Sequence, residues 1–128
     1  MANTKITSIV LFGTGNVGAH LAHTIAESGF DLRQIYSRTQ ENASEMALPQ
    51  NARPISDLSE ADTSADLWLI SVSDDAIPEM VNELPDYHGI VAHTAGSIPI
   101  DALSRFQRRG VFYPFQTLSK NREIDFSE

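Results

Sequence analysis

Gly13, Gly15 and Gly18 stand in the pattern Gly-x-Gly-x-x-Gly between an apolar run, Ile9-Val10-Leu11-Phe12, and a stretch in which Val17, Leu21 and Ile25 are spaced for one helical face. That is the order strand, tight turn, helix. Glycines at this spacing suit a turn that receives a pyrophosphate. Gly13 allows the reversal, Gly15 lets the backbone approach phosphate, and Gly18 lets helix and strand pack closely. The first helical N–H groups are left without intrahelical partners, and the helix dipole favours an anion beside them.

About 20 residues beyond the last glycine, where an Asp or Glu would hold a ribose 2′-hydroxyl, the chain has Ser37-Arg38-Thr39. A carboxylate would repel a 2′-phosphate, whereas a guanidinium fork and two hydroxyls can receive one. The expected cofactor is therefore NADP rather than NAD. A second role is compatible with the first: Arg38 as a solvated loop residue, with Ser37 and Thr39 capping the next helix.

Ser71-Val72-Ser73-Asp74-Asp75 follows another apolar run, at the end of a strand where open α/β sheets bind ligands. Val72 is expected against a ribose or adenine face, with Ser73 or the following amides hydrogen-bonding the cofactor. Asp74 and Asp75 diverge as consecutive residues, and one of them is read as a helix cap. His93-Thr94-Ala95-Gly96-Ser97 ends the next strand, at the nicotinamide half of such a site. His93 has an intrinsic pKa suited to proton transfer, although a histidine ending a buried strand also serves as a hydrogen-bonded structural residue. Ser97 is read as either a helix cap or a substrate contact. His20 and His23 are read as a surface face, and no metal site is expected. Nor is there a Gly-x-Ser-x-Gly elbow to suggest a hydrolase.

The elements needed to position these groups alternate. Strands are expected over 6–12, 30–36, 52–55, 67–72, 90–93 and 110–115. A helix from Asn16 to Ser28 ends at Gly29, and Thr39 caps another through Ala47 before Pro49. Asp57 caps a brief turn. Ile77, Met80, Val81 and Leu84 form one apolar helical face, with Pro78 in its first turn. Ile100, Leu103 and Phe106 suggest a short helix closed by Arg105, Arg108 and Arg109, and Trp68 is read as core. Alternating strands and helices imply an α/β fold: a doubly wound, mainly parallel sheet flanked by helices.

The chain of 128 residues has room for one domain and not for two. Its formal net charge of −8 argues against nucleic acid or an anionic membrane as partner. It has no cysteine, which excludes disulfides and thiolate chemistry. No apolar run is long enough to span a membrane, and the start lacks a signal-peptide core, so a cytoplasmic location is expected. A nucleotide-binding domain is assigned to 1–118. The polar residues 119–128 read as a tail or as the start of a missing C-terminal helical domain.

In this order the motifs resemble the N-terminal half of the Rossmann-like, NADP-dependent oxidoreductases related to pyrroline-5-carboxylate reductase and the deazaflavin-dependent NADP oxidoreductases. The nearest likeness is to a bacterial branch in which a helical domain follows. Tyr113-Pro114-Phe115-Gln116-Thr117-Leu118-Ser119 is similar to the segment leading out of that domain, where His often replaces Tyr113. The resemblance implies that Gly13, Thr14, Gly15, Asn16 and Val17 surround the pyrophosphate, and that Ser37, Arg38 and Thr39 hold the 2′-phosphate. It also implies a helical domain that completes the pocket for a small-molecule substrate and forms a homodimer. The reaction then expected is hydride transfer between NADP(H) and a small imine, carbonyl or hydroxy compound, with His93 and Ser97 at the reacting end. This fragment alone would be inactive. The alternative is a non-catalytic NADP-binding module that senses redox state or organises a partner; an S-adenosylmethionine site fits less well, for want of an acid at Ser37-Arg38.

Overall fold

The computed structural model describes residues 4–72, 76–94, 105–106, 108–111 and 123–124. Its strands are β1 (Thr4–Lys5), β2 (Ser8–Phe12), β3 (Asp31–Tyr36), β4 (Arg53–Ile55), β5 (Leu67–Ile70), β6 (Ile90–His93), β7 (Arg108–Val111) and β8 (Glu123–Ile124). Its α-helices are α1 (Asn16–Glu27), α2 (Gln40–Ala47) and α3 (Ile77–Glu83). Six strands form one sheet in the order β4-β3-β2-β5-β6-β7, and all of its pairings are parallel. Strands β1 and β8 make a separate antiparallel pair. Strand order reverses between β2 and β5, creating a crevice at their carboxyl ends in the arrangement of a Rossmann-like sheet.

Side-chain alternation explains why the central strands are apolar on both faces. Ile9 and Leu11 of β2, with Leu67 and Leu69 of β5, join Leu21 and Ile25 of α1 in an aliphatic layer. Val10, Phe12, Trp68 and Ile70 face the other way, onto Ile77, Met80 and Val81 of α3. That second layer is aromatic: Trp68 stacks on Tyr87 at 3.8 Å and meets Phe12 edge-on at 5.5 Å. A bulge lets Ile9 pair with Leu32 and Val10 with Gln34, skipping Arg33. Leu32 and Ile35 therefore share one face although they are three residues apart.

Helix α1 stops at Glu27, with Gly29 beyond it at φ +87° and the Phe30 N–H donating to the Ile25 carbonyl at 3.3 Å. Thr39 caps α2 by accepting from the Asn42 N–H at 3.3 Å. Pro49 lies in a 3-10 turn, Leu48–Gln50. Pro54 is accommodated because β4 is an edge strand. Asp57 caps the 3-10 turn Leu58–Glu60 through the Ser59 N–H, at 3.0 Å.

Two expectations need correcting. Val17 does not share the buried face of Leu21 and Ile25: it is 49% exposed. Arg108 and Arg109 do not close a helix but belong to β7, an edge strand where charged side chains can reach solvent. Arg105 instead donates to the Val81 carbonyl and pairs with Asp86 at 3.2 Å. The expected cap at Asp74 or Asp75, most of the short helix before Phe106, and the segment from Tyr113 to Ser119 lie outside the described residues.

Candidate functional site

The three glycines have three different surroundings. Gly13 has φ +123°, and a Cβ there would lie 2.2 Å from the Ser71 carbonyl oxygen. A Cβ at Gly18 would lie 2.4 Å from the Gly13 carbonyl oxygen. These two glycines are demanded by packing within the protein. A Cβ at Gly15 would meet nothing within 4 Å, so the space beside it is open to a ligand. Gly15 is also the N-cap of α1, no side chain caps that helix, and its first turn carries no acid. Backbone donors and the positive end of the helix dipole thus face open space, which fits the phosphates of a dinucleotide.

The loop is held from both neighbouring strands. The Gly13 N–H donates to the Tyr36 carbonyl at 2.9 Å, and the Ser71 N–H donates to the Phe12 carbonyl at 2.7 Å. Ser37 is buried and accepts from the Thr14 hydroxyl at 3.3 Å, tying the glycine loop to the residues that follow β3. Arg38 is exposed and makes no ion pair among the described residues. Gly13, Thr14, Gly15, Ser37, Arg38 and Thr39 line one cleft of about 750 Å³, together with Asn42, Ser71 and Val72. Tyr36, Leu58, Ala76, Glu79, Met80 and Glu83 complete its lining. Burial, and secondarily Glu83, raises the Tyr36 phenol pKa, while Arg38 opposes that shift.

The family described as "NADP oxidoreductase coenzyme F420-dependent" matches residues 8–103. The chain belongs to this family. A crystal structure of a Bacteroides fragilis protein classed as an NADP oxidoreductase is 38% identical, with a TM-score of 0.77 over 88% of this chain and 46% of its own. The fold also resembles an Aspergillus terreus reductive aminase solved with NADPH, at 16% identity and TM-score 0.66 over 83% of this chain and 40% of that one. Prephenate dehydrogenase from A. aeolicus, solved with NAD+, matches at 16% identity and TM-score 0.62 over 80% and 38%. These two likenesses are of fold alone. The chain spans about half the length, or less, of these solved structures. No curated protein matches it.

In this oxidoreductase domain the residues read as cofactor contacts converge from three elements: the β2–α1 turn, the end of β3 and the end of β5. Asn16 begins α1, and Val17 stands exposed beside Gly15. Val72 packs against the aromatic layer at the mouth of the cleft. Ser73 and Ser97 lie outside the described residues. His93 is fully buried at the end of β6, paired in register with Ile70 and Val111, and does not line the cleft. His23 pairs with Glu27 one helical turn on, at 3.2 Å. Among the described residues, no helix is long and apolar enough to cross a membrane.

Tyr36, Leu58, Met80, Glu79 and Glu83 were not legible as cleft residues. Met80 and Tyr36 read simply as bulk for helix and strand. One usable signal existed: Tyr36 immediately precedes Ser37-Arg38, and in a parallel sheet the strand's carboxyl end is the ligand end.

Proposed function

We propose that this chain binds NADP(H) and forms the cofactor half of an oxidoreductase that moves hydride between NADP(H) and a small imine, carbonyl or hydroxy compound. The observation that carries the reading is one cleft joining the uncapped start of α1 to Ser37, Arg38 and Thr39, the three residues directly after β3, none of which is a carboxylate. The bound dinucleotide supplies the hydride. The chain's own residues hold and orient it. Amides of the first α1 turn receive the pyrophosphate, while Ser37, Arg38 and the Thr39 hydroxyl receive the 2′-phosphate. Thr14, hydrogen-bonded to Ser37, keeps the two anion seats in fixed relation. His93 and Ser97 are the candidates at the reacting end, His93 from a fully enclosed position. A helical domain following this half would complete the substrate pocket and the homodimer.

Titration of NADPH and NADH into wild type and Arg38→Ala tests the cofactor choice. Wild type should prefer NADPH, and the variant should lose about tenfold or more in NADPH affinity with little change for NADH, the scale of a charge-assisted hydrogen bond. Equal wild-type affinities would sink the NADP assignment. NADPH oxidation by the complete protein against imines, ketoacids and a deazaflavin, with His93→Ala as control, tests the reaction.

A further inference from the structure

We draw no further inference here: the strongest candidate, the surface hollow lined by Ala26 of α1, by Phe30 and Leu32, and by Pro49 of the Leu48–Gln50 turn beside exposed Leu48, is an unpartnered apolar face, and nothing in the structure shows what covers it.

Discussion

The two ends of the parallel sheet handle polar groups in opposite ways. At the amino end, polar groups are matched within the protein. The Asp66 carboxylate accepts from the Thr7 N–H and hydroxyl, each at 2.9 Å, and from the Ser8 N–H at 3.2 Å. Buried Gln34 donates to the Glu60 carbonyl at 3.0 Å and accepts from the Asp62 N–H at 2.8 Å. Asp62 in turn holds Arg33 at 3.1 Å, and its carbonyl accepts the Trp68 indole N–H at 3.0 Å. At the carboxyl end the uncapped start of α1, Arg38 and Tyr36 line a cleft. One end spends its polarity on holding the fold together, and the other keeps it available for a ligand. In a chain of net charge −8, this division lets an anion be received locally.

The largest effect on stability should come from Gly13→Ala, because the carboxyl end still contains structural glycines. Its left-handed backbone and the 2.2 Å approach to Ser71 predict a loss of about 3 kcal/mol or more, read by chemical denaturation. A loss below about 1 kcal/mol would mean that the loop relaxes freely, and the assignment of Gly13 to the fold would fail.

Next comes the amino end. Asp66→Ala leaves the N–H groups of Thr7 and Ser8 without their acceptor, at a cost of about 1–3 kcal/mol, with dinucleotide affinity unchanged. Partial burial raises the Asp66 carboxyl pKa, but the bonds from Thr7 and Ser8 outweigh it, and the net value is lowered. A carboxyl lowered in the folded state contributes stability above its unfolded pKa, about 3.9, and loses it as pH falls through the folded value. Asp62 behaves alike, lowered first by the Ser64 hydroxyl. Wild type should therefore lose stability on acidification below about pH 4, and Asp66→Ala should show a shallower decline. Parallel acid profiles for the two proteins would remove Asp66 from this account.

What could be read in the residues follows the same division. Each central strand announced itself as a short apolar run, and the packing tasks given to Gly13 and Gly18 match their close approaches, while Gly15 has open space beside it. Ser37-Arg38-Thr39 was read as part of the ligand end, and the structure places it in the lining of the cleft. The bulge at Arg33 was not, since it depends on how β2 and β3 settle their register. Arg108 and Arg109 were misplaced because three arginines near a run with helical spacing look the same whether they end a helix or begin an edge strand. The rest of the cleft lining was hidden for another reason. Tyr36, Leu58 and Glu83 come from three separate segments, and only the winding of the sheet brings them together.

The smallest effect on stability should come from Gly15→Ala, which also separates fold from ligand most cleanly. Gly15 has φ −72°, an angle open to any residue, and a Cβ there meets nothing within 4 Å. Alanine caps a helix less well than glycine, so stability should change by about 1 kcal/mol or less. The new methyl group would nevertheless stand where a pyrophosphate must approach the backbone. NADPH affinity should fall by about tenfold or more, the scale on which a displaced charge-assisted contact is felt. Thermal unfolding and NADPH titration on the same preparation give both numbers. A variant as stable as wild type that also bound NADPH equally well would show that the space beside Gly15 is not where the phosphates sit.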